Sequence, residues 1–336
     1  MVGTLEVRAP NRSKGAGQLM IGHILIALAA GSASAAMFAS ITSGALISLV
    51  LLFLSPLPLM VAALGWAPLT AAIGGAAAAL GLGVIFGIGD LIGYAIAVAL
   101  PAWWLGHLCL LGRSSNDTQS TPSGMEWYPV GRILLWIAAF AVLATGEALL
   151  TIGTDVGSIN GTLRDVLLRV LAIGEPGFGG DADRWVNAMV NIAPPMAAVM
   201  ATTMLSLNLW LAAKVAATSG QLPRDWPDLK ATTLPPMTGV ALCVATAFCF
   251  SGGMPAMLAK IILSALLMAY ALTGFAVLHT VTLDLKSRPF WLGIVYSLAF
   301  IFVWLLLAMA ALGLADAVFG LRQRYLRSRP PPLPVP

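Results

Sequence analysis

Charge is what this sequence has least of. Its 336 residues include 18 Lys and Arg and 14 Asp and Glu, so 10% are charged, against about a quarter in a soluble domain. That shortage excludes an ordinary water-soluble fold. Cysteine is almost missing: Cys109, Cys243 and Cys249 lie inside apolar runs with no pairing pattern, which argues against disulfides and metal clusters. His23, His107 and His279 are far apart and lack metal-ligand spacing. No glycine-rich phosphate loop ends in Lys-Ser/Thr, which excludes ATP hydrolysis by that route. Nucleophile elbows and His-Glu-x-x-His motifs are also missing. The chain is therefore expected to be no enzyme, with no cofactor and no metal. Its net charge of +4 arises mostly in the C-terminal tail and does not suggest nucleic acid.

What is present is apolar. Hydrophobic residues make up 59% of the chain and mean hydropathy is +0.90, which predicts an all-α polytopic transmembrane bundle in a lipid bilayer. Nine candidate segments fall at 20–40, 44–64, 68–88, 91–112, 130–152, 187–214, 236–252, 255–280 and 290–314. A single transmembrane domain over 20–320 is expected, between a polar N-terminus (1–19) and a basic, Pro-rich tail (321–336). No cleaved signal peptide is expected. Lysine and arginine concentrate on the cytosolic side of membrane proteins. About eight crossings with both ends cytosolic leave only Arg164, Arg169, Arg184 and Lys260 outside. One of the nine segments is then re-entrant, and 290–320 fits that role. The location implied is a bacterial cytoplasmic (inner) membrane.

Within 44–75 there is no charge, but Pro56, Pro58 and Pro68 interrupt the run. A continuous helix would be about 48 Å long, more than a hydrocarbon core of about 30 Å needs. The segment should cross, break at 55–58, turn at 65–68 and start back. A break at membrane depth needs neighbouring helices or a wet cavity to satisfy the freed carbonyls. Pro56 and Pro58 thus mark either a cavity wall or a kinked packing helix.

Ala27, Gly31, Ala35 and Ala39 recur every four residues and line one face of the first helix, for close approach of a helix in this chain or in a partner. Residues 160–173 form an amphipathic pattern suited to an interface, with Leu163, Val166, Leu167, Val170 and Leu171 on one side. Pro194-Pro195 marks an expected helix start. Ionisable groups at membrane depth are rare and functional by default. Glu147 and Lys260 should sit at matched depth, where they either neutralise each other or contact an unknown small molecule. Asp90, Asn187 and Asn191 lie near the same level, completing a candidate ligand cavity with Pro56 and Pro58.

Three stretches carry a resemblance: LSPLPLMVAALGWAPLTAAIGG, the GFAVLH from Gly274 to His279, and ALGLADAVFGLRQR, which includes Gly313, Asp316 and Arg322. Together the chain resembles the YybS-like family of bacterial polytopic membrane proteins, itself similar to the S-components of energy-coupling-factor transporters. The resemblance implies an S-component-like bundle that captures a small molecule and docks on a membrane coupling subunit with cytosolic ATPases. An Ala-x-x-x-Ala face would make that contact, matched here by Ala35 and Ala39 or by Ala29 and Ala33. S-components have six helices and about half this length, and no vitamin-contact motif is present. A membrane scaffold or assembly factor without transport is the competing expectation.

Overall fold

The computed structural model describes residues 12–114, 125–170, 181–283 and 285–327. The first eleven residues, the tip of the loop after the fourth apolar segment, residues 171–180 with Leu171 of the amphipathic pattern, Asp284 and the proline-rich end from residue 328 lie outside them. The helices are α1 (Arg12–Ala39), α2 (Leu46–Leu54), α3 (Pro56–Gly65), α4 (Pro68–Phe86), α5 (Ile88–Tyr94), α6 (Leu100–Cys109), α7 (Val130–Ile152), α8 (Val156–Val170), α9 (Asp181–Thr218), α10 (Met237–Phe248), α11 (Gly253–Val281), α12 (Arg288–Ile301), α13 (Leu305–Phe319) and α14 (Leu321–Arg327). A short antiparallel ribbon joins β1 (Gly112–Ser114) to β2 (Met125–Trp127). Among the described residues, seven spans are long and apolar enough to cross a bilayer, with α2–α3 and α5–α6 each counted once. The all-α polytopic bundle is as expected.

Large apolar side chains point outward all along these spans, including Leu46 and Val84, each more than four-fifths exposed. Lipid, not water, is the solvent such a surface suits. Inside, two apolar cores form. One gathers Leu59, Met60, Tyr94, Leu105, Ile137 and Leu205; the other gathers Ile159, Ile261, Met268, Tyr270 and Ala310. Helix α7 serves both through consecutive residues, Ile137 for the first and Ala138 for the second.

The loop between α9 and α10 crosses one end of the bundle as a strap. Gln221 lies against Gly65. Arg224 donates to the carbonyls of Cys109 (3.1 Å) and Tyr128 (3.0 Å). Burial lowers the pKa of this guanidinium, partly countered by Cys109. Lys214 stands 4.2 Å over the Trp226 ring. Beyond the strap, residues 232–235 are non-helical and run beside the start of α7, so close that a Cβ on Gly131 would lie 1.7 Å from the Thr233 carbonyl oxygen. Helix α10 has only 12 residues, but α9 ends at the strap and α11 begins at the opposite end. The chain therefore makes an eighth passage here, part extended and part helical.

The segment expected over 290–314 is two helices, α12 and α13, parted at residues 302–304. Arg288 before the break and Arg322 after it both lie at the strap: Arg322 donates to the Lys230 carbonyl, and Lys230 and Arg288 together flank His279. The segment leaves one end and returns to it, which is the irregular course anticipated for 290–320. Gly320, with φ +62°, ends α13 in the left-handed conformation glycine favours. A 66° bend then leads into α14. The expected tail at 321–327 is thus helical, held by its own Arg322.

Two boundaries differ from expectation. Helix α9 does not start at Pro194-Pro195 but runs through both from Asp181, for 38 residues. At about 1.5 Å per residue that is about 57 Å, so its first turns extend past the apolar core. Helix α8 starts at Val156 rather than 160 because Asp155 caps it: Ser158 N–H donates to Asp155 Oδ1 at 3.0 Å.

Candidate functional site

The proline break is a kink at which a side chain takes up the carbonyl that Pro56 frees. Ser55 keeps helical angles (φ −57°, ψ −30°), so α2 and α3 form one bent span. Pro56 has no N–H to give Leu52, and Ser55 Oγ supplies that carbonyl with a bond of 2.7 Å. The neighbouring Phe53 carbonyl accepts from Asn208 Nδ2 at 2.7 Å. The Ser55 carbonyl accepts from Ser34 Oγ at 2.6 Å, and Tyr94 O–H donates to Ser34 at 2.7 Å. Ser34, Tyr94 and Asn208 are all fully buried. Pro56 is buried too, while Pro58 faces a shallow apolar groove between α1 and α3 with Ile26, Ala29, Ala30 and Trp66. Turn and return at Trp66–Pro68 occur as expected.

At the end opposite the strap, Glu147 is half-buried on α7, with its two carboxylate oxygens 3.6 and 3.8 Å from where a Cβ on Gly93 would sit. Gly93 belongs to α5, and Asp90, exposed, lies one turn before it. A π-helical turn over Ala95–Ala99 follows directly. Pro101 explains it: the ring would clash with the carbonyl of Ala97 in a regular helix, and widening the turn relieves the clash. Glu147 makes no hydrogen bond or ion pair with any described residue.

Lys260 does not meet it. Its neighbours Ala259 and Ile261 are buried, so Lys260 itself points outward from α11. Leu149, on the face of α7 that packs into the α11 core, is two positions from Glu147, about 200° around the helix. Expecting these charges to pair from matched depth took no account of azimuth. Asn187 and Asn191 are engaged elsewhere: Arg164 of α8 donates to Asn187 Oδ1 at 2.6 Å and pairs with Asp183, and Asn191 bonds back to the Asn187 carbonyl. They clasp α8 onto α9. Ile159 and Leu163 seat α8 on the second core, while Val166 and Val170 stay exposed.

The residues of the closing motifs do come together. A Cβ on Gly274 would stand 1.9 Å from the Met309 carbonyl oxygen, and one on Gly313 would stand 2.1 Å from that of Tyr270. Backbones of α11 and α13 touch there because neither residue has a side chain. Asp316 and Arg322 form an ion pair of 2.6 Å with both side chains less than a tenth exposed. Arg322 N–H and Nε also donate to the same carboxylate, at 2.8 and 2.7 Å. His279 sits beside Arg288 and Tyr296, with Nε2 2.8 Å from the Tyr296 hydroxyl.

The small-residue stripe divides in two. Ala27 and Gly31 pack against α4 within this chain, since a Cβ on Gly31 would lie 2.3 Å from the Gly74 carbonyl oxygen. Ala35 and Ala39 pack partly against the first core and line an open apolar groove of about 450 Å³ between α1 and α4.

Sequence inspection passed over Ser34, Tyr94 and Asn208. Asn208 carried a usable signal, an amide between two leucines deep in an apolar run; Ser34 and Tyr94 did not, because their role depends on a carbonyl in another helix. Among the described residues, no group of three or more His, Cys, Asp or Glu could hold a metal ion. The family model described as predicted membrane protein (DUF2232) matches residues 32–317. No curated protein and no solved structure matches.

Proposed function

The chain belongs to this DUF2232 family of predicted membrane proteins, and on that premise we propose that it is a small-molecule-binding or transport component built like an S-component. Glu147 carries the proposal. A carboxylate at membrane depth with no partner is costly to maintain, and this one faces a glycine that leaves room beside it. With Asp90 one turn from Gly93 on α5 and Lys260 turned outward, the local polar groups are acidic, so the ligand class is a small molecule with a cationic group. Helix α8, with its exposed Val166 and Val170, lies over the same end and would act as its cover. The chain lacks an ATP-binding loop, so energy would come from a coupling subunit with ATPases. The Ala35–Ala39 groove is the contact face that an S-component-like reading assigns to it, at the cytoplasmic membrane and with both termini cytosolic.

The test is native purification with identification of bound small molecules, for the wild type and Glu147→Gln. The substitution keeps size and removes charge, so the bound species should disappear while folding and insertion persist. Equal occupancy in both proteins refutes the site. The open groove also favours a second reading, a scaffold that holds other membrane proteins without transport. In that case Ala35→Leu abolishes co-purification of partners, those partners are not ATPases, and Glu147→Gln changes nothing.

A further inference from the structure

The break between α12 and α13 is open to the outside of the bundle. Helix α12 has 14 residues, about 21 Å at about 1.5 Å per residue, so its far end lies well inside a hydrocarbon core of about 30 Å. There the helical ladder fails. Val303 N–H makes no bond to the Ala299 carbonyl, and Leu305 N–H turns to Phe302 at 2.9 Å instead of reaching Ile301. The Ala299 and Ile301 carbonyls thus receive no backbone N–H among the described residues. Phe302 and Val303 are nearly half exposed and Trp304 is 71% exposed. Irregular backbone at membrane depth is tolerated where protein covers it and not against lipid, so this patch requires a protein neighbour.

Helix α12 offers that neighbour an unfilled face. On the side toward the bundle, Leu292, Val295 and Ala299 are half-buried, and Tyr296 stacks on Phe275 of α11 at 5.1 Å. Across the helix, Phe290, Gly293, Ser297 and Ile301 fall within about 80° of one another, and all four are exposed. A Cβ on Gly293 would meet nothing within 4 Å, although glycine weakens a helix interior. Ser297, four residues on, is also small, and that spacing admits a second helix at close range.

The chemistry of the patch selects the neighbour. No charged residue occurs between Arg288 and Asp316, so nothing there attracts a charged partner. The donors that the open carbonyls lack are on the same surface: the Ser297 hydroxyl and the Trp304 indole N–H bond no described residue, and they lie on either side of Ile301. A surface holding both unused acceptors and unused donors is self-complementary under a two-fold axis. We propose that α12 and the 302–304 break pair with the same elements of a second copy of this chain. The two helices cross at Gly293 and Ser297, with the two-fold axis along the membrane normal.

This surface is independent of the Glu147 site and of the α1–α4 groove. Its test is disulfide crosslinking in native membranes, using the full-length chain with Cys109, Cys243 and Cys249 replaced by alanine and two differently tagged copies co-expressed. Ser297→Cys and Ile301→Cys should each join the two tags, whereas Leu292→Cys and Val295→Cys, on the opposite side, should not. Adding Gly293→Leu to Ile301→Cys should cut the crosslinked fraction about tenfold, because the new side chain fills the crossing point and meets nothing in its own chain. Crosslinking equal on both sides of α12, or absent at all four positions, overturns the proposal, as does undiminished crosslinking with Gly293→Leu. A Ser297→Cys product that joins this chain to a different protein also overturns it, by giving the face another occupant.

Discussion

At the scale of single residues, several of the bundle's few polar groups bond backbone carbonyls at and beside the Pro56 kink. Asn208 is the clearest case between helices: it reaches across from α9 to the Phe53 carbonyl. Asn208→Leu should lower stability by about 1–2 kcal/mol, because interhelical hydrogen bonds in membranes are worth that order or less. Thermal unfolding in detergent reads it, and Leu207→Ala on the exposed neighbouring position serves as the control; an Asn208→Leu protein as stable as the parent would show the bond is ornamental. The Asp316–Arg322 pair makes a stronger demand. Asp316→Asn leaves a buried guanidinium without its counter-charge and should destabilise by about 3 kcal/mol. Replacing both partners, Asp316→Leu with Arg322→Met, should recover part of that loss. Additive losses in the double variant would mean the two side chains act separately.

At the scale of elements, what was legible depended on whether a signal was local. Apolar runs and the turn at Trp66–Pro68 could be read from composition and proline position, and the amphipathic pattern of α8 from its spacing. Its true start was overlooked although Asp155-x-x-Ser158 marks it. The pairing of Glu147 with Lys260 could not be judged without knowing which way each helix faces, and the division of the Ala27–Ala39 stripe depends on which of its residues meet the α4 backbone at Gly74. The α8 cap gives a pH prediction. Hydrogen bonds from Ser158, its backbone N–H first and then its side chain, lower the Asp155 pKa, and the group is fully exposed. A carboxylate with a depressed folded pKa stabilises at pH values above its unfolded value of about 3.9 and loses that contribution as pH falls through the folded value. Amide exchange at 156–159 should therefore be protected at neutral pH and rise on acidification. In Asp155→Asn, which keeps the capping oxygen but cannot ionise in this range, protection should persist and its pH dependence flatten. The stripe gives a parallel test: Gly31→Ala, forced against Gly74, should destabilise by about 1–3 kcal/mol, while Gly22→Ala, which meets nothing within 4 Å, should not.

At the scale of the whole molecule, irregular backbone collects around α11. The non-helical residues 232–235 run in toward it, Thr238 bonds the Tyr270 hydroxyl at 2.8 Å, and α13 presses against it through Gly274 and Gly313. Membranes tolerate broken helices only where protein covers them, and α11 has the most thoroughly buried apolar window of the seven spans. This arrangement requires the segment from Arg288 to Arg322 to turn back without crossing, and so places residues 286 and 323 on one side. In a variant with Cys109, Cys243 and Cys249 replaced by alanine, single cysteines at Ser219, Lys286 and Gln323 should react with an impermeant maleimide from one face of the membrane. Cysteines at Thr154 and Ser251 should react only from the other. A cysteine at Val303, in the break between α12 and α13, should label poorly from both, because it lies at depth rather than at either surface. If 286 and 323 label from opposite faces, the pair α12–α13 is a ninth crossing and Arg322 cannot reach the Lys230 carbonyl.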